Sequence, residues 1–137
     1  LGEEIIKPAL EAGQTVIADR FLLANVVYQG YGGGLDVDSL WEVGRVATDA
    51  LVPDLTFVLD LEPHLAAQRR TGNPDRLESE PADFHQRVRE GFLAEAKKQA
   101  EAIRVIDATG PIEQVQRHLQ SEVERYLAGQ GGKKQPC

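Results

Sequence analysis

The stretch Leu55-Thr56-Phe57-Val58-Leu59-Asp60 is almost continuously apolar and ends in a carboxylate. An apolar run of this length is typical of a parallel strand that is buried on both faces of its sheet. Pro53-Asp54 precedes the run and Glu62-Pro63 follows it, and these residues mark a turn and the start of a helix. The stretch therefore predicts a parallel strand and an α/β fold. Asp60 is interpreted as the cap of the next helix, with a position facing a metal-bound ligand as the alternative.

Helical and strand-like segments alternate on both sides of this strand. Residues 15–18 (Thr-Val-Ile-Ala) and 103–107 (Ile-Arg-Val-Ile-Asp) predict two more strands. Apolar residues recur at helical spacing in residues 1–12, 21–29, 39–52, 81–102 and 111–127. Pro8 predicts a kink or an early end of the first helix, and the glycines in residues 30–34 predict the end of the second. Ser39 and Glu42 predict a capping box for the third. The alternation predicts a parallel sheet flanked by helices.

The composition limits the classes of protein to which the chain can belong. At 137 residues, with 42% hydrophobic and 27% charged residues, the chain suits one folded domain. A formal net charge of -7 argues against a nucleic-acid-coating surface, which requires a basic face. Cys137 is the only cysteine, which excludes an internal disulfide, and His64, His85 and His118 are expected on helix surfaces. No apolar run is long enough for a membrane span, so a cytoplasmic protein is expected.

An acid and a base, Asp19 and Arg20, directly follow the strand predicted at residues 15–18. Ligands bind at the carboxyl ends of parallel strands, and a guanidinium group matches the oxygens of a phosphate. The helix predicted to start after Arg20 would add its dipole and its free N–H groups to the same anion site. A structural ion pair at the end of the strand is an equally good interpretation of the two residues.

Residues 68–78 form a polar segment that contains Arg69, Arg70 and Arg76. Gly72 and Asn73-Pro74 predict a loop. A charged surface loop is the favoured interpretation of the arginines taken alone, since runs of charge are usually solvated. The alternative is a lid that brings the arginines onto a phosphoryl group during its transfer.

Several motifs, taken together and in this order, resemble one family. They are Val16-Ile17-Ala18-Asp19-Arg20-Phe21, Tyr28-Gln29-Gly30, Pro53-Asp54-Leu55-Thr56 with Leu59-Asp60, Asp75-Arg76-Leu77-Glu78, and Phe84-His85-Gln86-Arg87-Val88-Arg89-Glu90-Gly91-Phe92. The series resembles bacterial thymidylate kinase from about Leu1 to Leu127. The resemblance implies a P-loop-NTPase-like parallel sheet flanked by helices, as a partial nucleoside-monophosphate-kinase-like domain at residues 1–127 with a flexible tail at 128–137. The motif Gly-x-x-x-x-Gly-Lys-Ser/Thr does not occur in the sequence, so the fold is expected to be incomplete at the N-terminus.

The resemblance implies an acceptor site around Arg20. Arg20 would hold the phosphate of dTMP, with Asp19 near the magnesium side of the site. Asn25 would lie beside the thymine, Tyr28 against the deoxyribose, and Gln29 along the same pocket. Their spacing of three and four residues suits one face of a helix.

The resemblance also implies a donor side, with ATP as the phosphoryl donor and Mg²⁺ as the cofactor. Arg69, Arg70 and Arg76 would form a lid, and Asp107-Ala108-Thr109 would lie near the adenine. No residue of this chain is assigned as a metal ligand. Gly33 stands where the family commonly has an arginine. Members of the family usually pair, which implies a homodimer, and the helix predicted at residues 39–52 would serve either as its interface or as plain core.

The implied function is thymidylate kinase activity, in which the γ-phosphoryl group of ATP is transferred to dTMP to give dTDP and ADP. The chain would carry the dTMP site and the lid, and by itself it is expected to be inactive. A non-catalytic nucleotide-binding or scaffolding remnant of the same fold is one alternative, and another nucleoside or nucleotide kinase is the other. The expected ligands are dTMP and ATP, and neither nucleic acid nor membrane is expected as a partner.

Overall fold

The computed structural model describes residues 2–69 and 79–130. In chain order they form a π-helical turn (Gly2–Ile6), α1 (Lys7–Glu11), α2 (Leu22–Val26), a π-helix (Val27–Gly32), α3 (Val37–Ala47), β1 (Thr56–Asp60), α4 (Pro63–Arg69), α5 (Ala82–Lys98), β2 (Ile103–Asp107) and α6 (Ile112–Gln130). The fold is α/β, with helices around a small parallel sheet, as predicted. Among the helices in these ranges, none has the length and apolar composition needed to cross a membrane.

β1 and β2 lie side by side as parallel strands, in a register that pairs Thr56 with Ile103 and Asp60 with Asp107. The strands predicted at residues 55–60 and 103–107 are therefore confirmed. Val58 and Ile103 pack with Ala96 of α5 in the buried core. The expected burial of β1 on both faces is only partly seen, because Leu59 is 53% exposed.

The strand predicted at residues 15–18 is wrong. These residues form no ladder with β1 or β2, and Ile17 is 94% exposed. The N–H and C=O groups of a strand need a neighbouring strand as their partner. Within the described ranges the sheet consists of β1 and β2 alone, which bond to each other. The β-branched composition therefore marks a segment that suits a sheet but has no strand beside it here.

The helix predicted over residues 21–29 is present, but it does not end at the glycines. α2 begins at Leu22, and the chain continues as the π-helix through Gly32. Both Gly30 and Gly32 are buried within this segment. A Cβ atom at Gly32 would lie 2.6 Å from Cε2 of Phe84 in α5, so glycine lets the two helices approach closely. This packing overrides the low helix propensity of glycine.

α3 begins at Val37 and is capped by Asp36, whose carboxylate accepts a hydrogen bond of 2.8 Å from the backbone N–H of Ser39. The predicted capping box of Ser39 and Glu42 is therefore wrong, because α3 begins two residues before Ser39 and Asp36 is its cap.

The C-terminal ends of α1, α3 and α6 also differ from the predictions. α3 ends at Ala47 rather than at residue 52, because Asp49 and Ala50 adopt left-handed φ angles of 49° and 55°. Pro8 lies in the first turn of α1, where its missing N–H breaks no helical bond, and the helix continues to Glu11. α6 covers the predicted last helix but runs to Gln130, so the flexible tail predicted from residue 128 is wrong for residues 128–130, while residues 131–137 lie outside the described ranges.

A buried carboxylate, that of Glu95 in α5, joins three helical segments. Glu95 is 1% exposed. It accepts hydrogen bonds from Tyr31 Oη of the π-helix at 2.7 Å, from Trp41 Nε1 of α3 at 3.1 Å, and from Lys98 Nζ at 2.7 Å. The carboxylate is thereby satisfied by donors from two neighbouring segments as well as from its own helix.

Replacing Gly91 by alanine tests the close packing of α5. A Cβ atom at Gly91 would lie 2.5 Å from Cγ of Tyr31. We predict that Gly91→Ala lowers the free energy of unfolding by about 1–2 kcal/mol, since overpacking costs about 1–3 kcal/mol and outweighs the gain in helix propensity. Gly129→Ala in α6 is the matched control, because a Cβ there meets no heavy atom within 4 Å. Urea unfolding followed by circular dichroism measures both variants, and an unchanged stability of Gly91→Ala would contradict the packing.

The Glu95 carboxylate makes the stability depend on pH. Burial raises its pKa, but hydrogen bonds from Lys98, Tyr31 and Trp41 together outweigh burial and hold the pKa below the ordinary value of 4.5. The unfolded chain therefore binds more protons than the folded chain at acidic pH. We predict that the stabilisation by Glu95 is present above the ordinary pKa and is lost as pH falls through the folded one. The difference in the free energy of unfolding between wild type and Glu95→Gln should shrink towards acid, and a pH-independent difference would contradict this.

Candidate functional site

A cleft of about 430 Å³ opens at the carboxyl ends of β1 and β2. The residues that line it come from the start of α2 and the π-helix, the end of β1, α4, α5 and the loop after β2: Arg20, Tyr28, Val58, Leu59, Asp60, Leu61, Pro63, Ala66, His85, Val88, Arg89, Phe92 and Ala108. Its volume is in the range of small-molecule sites, and its place is the edge of the sheet where α/β proteins bind ligands.

Arg20 and Tyr28 meet at one wall of the cleft. The Cζ atom of Arg20 lies 5.4 Å from the centroid of the Tyr28 ring, within the range of a cation–π contact. Arg20 has a φ angle of 66°, in the left-handed region that costs a non-glycine residue about 1 kcal/mol or more. α2 then begins at Leu22. The structure thus brings two of the predicted site residues together, and the strained backbone at Arg20 is a feature typical of functional positions.

Arg20 carries no ion pair with its neighbour Asp19. Within the described ranges its guanidinium group contacts the Tyr28 ring and no carboxylate. The interpretation of Asp19 and Arg20 as a structural ion pair is therefore wrong. A fixed cation at the end of a cleft, without a carboxylate partner, suits an anionic ligand.

Two rings of α5 hold Tyr28 in place. The centroid of its ring lies 6.2 Å from that of Phe84 and 6.1 Å from that of Phe92. Tilted and edge-to-face pairs at such distances are the favoured aromatic arrangements. Tyr28 therefore presents a supported, half-buried surface to the cleft.

The other predicted acceptor residues, Asp19, Asn25 and Gln29, are exposed and are not among the residues that line the cleft. Asn25 lies in α2 and Gln29 in the π-helix, which also carries Tyr28. Their roles at a ligand stay predictions.

Sequence reasoning missed an ion pair between Arg89 and Asp60 in the cleft. Nε and Nη2 of Arg89 donate to the two carboxylate oxygens of Asp60 at 2.7 and 3.0 Å, and Nη1 donates to Glu62. The bonds to Asp60, followed by that to Glu62, hold the pKa of Arg89 well above its ordinary range. Since α4 begins at Pro63, Asp60 does not cap it, and the favoured interpretation of this residue is wrong. The helical spacing of Arg89 and Phe92 was the one local signal that both face the same side of α5.

His85 also lines the cleft, although the sequence predicts it on a helix surface. It is half-buried, its ring lies 5.6 Å from that of Phe84, and its Nε2 atom is buried with no hydrogen-bond partner in the described part of the chain. The surface prediction is wrong for His85, while His64 and His118 are exposed as expected.

The described residues do not fit a magnesium site. In residues 2–69 and 79–130, no three His, Cys, Asp or Glu side chains lie together as ligands for a metal ion. The Asp60 carboxylate is occupied by Arg89, and the Asp107 carboxylate by Thr109. A cation at the site would need other ligands.

Arg69, at the end of α4, binds the loop that follows β2. Its Nη1 and Nη2 groups donate to the backbone carbonyls of Ala108 and Thr109, each at 2.6 Å. Within the loop, the Asp107 carboxylate accepts bonds from the hydroxyl and the N–H of Thr109 at 2.6 and 2.8 Å, which lower the pKa of Asp107. The loop predicted to lie near adenine is therefore held in a defined shape, and one predicted lid arginine is committed to it. The other two, Arg70 and Arg76, lie outside the described residues.

The bridge from Arg69 to the loop predicts a local change in amide exchange. The N–H of Ala108 donates to the carbonyl of Asp60 at 2.9 Å and reports on the order of the loop. We predict that Arg69→Gln raises hydrogen exchange at Ala108 about tenfold by removing both bonds. Arg69→Lys should raise it almost as much, because an ammonium group lacks the planar fork that spans two carbonyls.

NMR hydrogen exchange measures the change, and Arg117→Gln, at an exposed position of α6, is the control. Wild-type exchange in Arg69→Lys would mean that the charge alone matters and would contradict the bridge.

Comparison with known proteins identifies the family to which this fold and cleft belong. A family model described as thymidylate kinase matches residues 2–119. The thymidylate kinase of Symbiobacterium thermophilum is 46% identical over 123 residues, which cover 89% of this chain and 58% of the relative. That of Rhodopirellula baltica is 47% identical over 113 residues, which cover 82% and 46%. That of Desulfovibrio desulfuricans is 43% identical over 138 residues, which cover 93% and 63%.

A solved structure agrees with these sequence matches. The crystal structure of thymidylate kinase from Ehrlichia chaffeensis is similar with a TM-score of 0.66 at 29% identity, over 88% of this chain and 55% of that chain. The chain spans between 46% and 63% of the length of the three curated relatives. Since the family model matches most of its residues, the chain belongs to the thymidylate kinase family.

Proposed function

We propose that this chain carries the acceptor side of a thymidylate kinase, which transfers the γ-phosphoryl group of ATP to dTMP to give dTDP and ADP. The observation that carries the proposal is Arg20, a cation without a carboxylate partner in the described ranges, beside the ring of Tyr28 in a cleft at the edge of the sheet. Membership of the thymidylate kinase family supports the choice of substrate.

Arg20 is proposed to hold the phosphate of dTMP. Its guanidinium group stays charged at any physiological pH and can donate two parallel hydrogen bonds to phosphate oxygens. The contact with Tyr28 limits the positions of the group before a ligand arrives, which lowers the entropy lost on binding.

Tyr28 is proposed to form the wall against the deoxyribose, where a 2′-hydroxyl would have no room. The contacts of its ring with Phe84 and Phe92 favour this role, because a side chain excludes a hydroxyl group only if it cannot move aside. Asn25 and Gln29, on the same stretch of helix, are proposed to contact the thymine side, and Asp19 to lie towards the magnesium side. Their exposure leaves these polar groups available to a ligand.

The donor side is proposed to bind ATP with Mg²⁺. The loop Asp107-Ala108-Thr109 is proposed to face the adenine, and Arg69, Arg70 and Arg76 to belong to the lid. In phosphoryl transfer, catalysis is mostly the positioning of groups and the electrostatic stabilisation of charge. The bonds from Arg69 to the loop give this arginine a positioning part in that scheme.

The complete enzyme is proposed to be a cytoplasmic homodimer. Val43 and Val46 of α3 are 68% and 83% exposed, so this helix is not packed entirely inside the core. A second copy of the chain would cover such an apolar surface.

The acceptor site predicts the response of dTMP binding to substitution of Arg20. Arg20→Ala should weaken binding of dTMP at least tenfold, because a hydrogen bond to a charged group contributes about 1.5–3 kcal/mol. Isothermal titration calorimetry of this chain with dTMP measures the effect, and Arg117→Ala is the matched control at an exposed position of α6.

The same titration with dCMP and dGMP tests the class of nucleotide. Binding of dTMP should be stronger than that of either, as expected of a thymidylate site. Unchanged affinity of Arg20→Ala for dTMP would refute the phosphate site, and equal affinity for dGMP would favour another nucleotide kinase.

A further inference from the structure

The π-helix Val27–Gly32 carries two tyrosines with different surroundings. Tyr28 lines the cleft, while the hydroxyl of Tyr31, three residues later, donates to the buried carboxylate of Glu95 at 2.7 Å. Lys98 contributes a weaker bond of 3.3 Å to the same hydroxyl. The segment that supplies the wall of the cleft is thus also bound to α5 by the hydrogen bond of Tyr31.

α5 contacts both tyrosines with residues that are three apart. Phe92 packs edge-on against Tyr28, and Glu95 accepts the hydrogen bond from Tyr31. Gly91 leaves room for the Tyr31 ring to lie directly on the helix backbone. These residues of α5 therefore determine how closely the π-helix packs on α5 and which of its side chains face α5.

The π-helix depends on such tertiary contacts for its position. Its N-terminal end follows α2 without a side-chain cap, and π-helical turns are rare and are found mostly at functional sites. The donors to Glu95 are divided between its two oxygens, since Tyr31 and Lys98 bind Oε1 and Trp41 Nε1 binds Oε2. The bond that locates Tyr31 therefore does not pass through the oxygen that Trp41 binds.

We propose that Glu95 and Tyr31 are positioning residues of the acceptor site. They hold the Tyr28 ring at the position in the cleft wall that admits a deoxyribose and rejects a ribose. This inference rests on the proposed function, in which Tyr28 is the sugar wall. Neither Glu95 nor Tyr31 lines the cleft, so both act through Tyr28.

Trp41 supplies a matched control for this role. Its indole donates to the same carboxylate at 3.1 Å, but it belongs to α3, none of whose residues lines the cleft. Tyr31→Phe and Trp41→Phe each delete one donor to Glu95 and keep an aromatic ring. A purely structural role of the network predicts similar effects of the two on binding, whereas a positioning role predicts different ones.

The experiment measures the affinities of wild type, Tyr31→Phe, Trp41→Phe and Glu95→Gln for dTMP and for ribothymidine 5′-monophosphate by calorimetry, after circular dichroism has shown each to be folded at the temperature used. Tyr31→Phe and Glu95→Gln should weaken dTMP binding about three- to tenfold, the range of one lost hydrogen bond. They should also lower the ratio of dTMP to ribonucleotide affinity. Trp41→Phe should lower the thermal midpoint while both the affinity and the ratio stay near wild type.

The outcomes separate this inference from the proposed function. If wild type binds dTMP through Arg20 and the ratio is unchanged in Tyr31→Phe, the positioning role is overturned and the proposed function stands. Equal losses in Tyr31→Phe and Trp41→Phe also overturn the role, because they show a general structural effect. A wild type that does not bind dTMP overturns both.

Discussion

Burial of the Glu95 carboxylate is the constraint on which the arrangement of the helices depends. A charge removed from water is tolerated only when its partners are complete. Glu95 is 1% exposed and reaches that condition through Tyr31, Trp41 and Lys98. If the π-helix or α3 moved away from α5, a buried charge would lose a donor, at a cost of about 1–3 kcal/mol. The carboxylate therefore stabilises the arrangement of the π-helix, α3 and α5 in which all three donors reach it.

The same helix carries this constraint to the edge of the sheet. Beyond Glu95, α5 contributes Phe92 and Phe84 against Tyr28, and Arg89 against Asp60 at the end of β1. These contacts lie on one side of a single rigid rod, so the distance between the Tyr28 wall and the carboxyl end of β1 is set by helix geometry. The side chains of α5 therefore connect two sides of the cleft, the Tyr28 ring and the end of β1.

The parts of the fold with a local cause could be predicted from the sequence. β1 and β2 follow from short apolar runs, and Arg20 was identified because it follows an apolar run and precedes a helix. Residues 15–18 show the limit, since composition reports suitability for a sheet but not the presence of a neighbouring strand. The π-helix continues through Gly32, which packs against Phe84 of α5, and the Arg89–Asp60 pair joins residues 29 positions apart. Both interactions join segments that are far apart in the sequence, so local patterns do not identify the partner.

The proposed phosphate site is compatible with the acidic composition of the chain. The net charge of -7 describes the whole surface, whereas a ligand in a cleft responds to the few groups within a Debye length. Of the arginines near the cleft, Arg89 is neutralised by Asp60 and Glu62, and Arg69 is bound to the carbonyls of the loop after β2. Arg20 alone among these three has its guanidinium group against a ring and not against an acceptor. The donors of Arg89 and Arg69 are thus occupied, so among these three arginines the proposed phosphate site falls to Arg20, beside the ring proposed as the sugar wall.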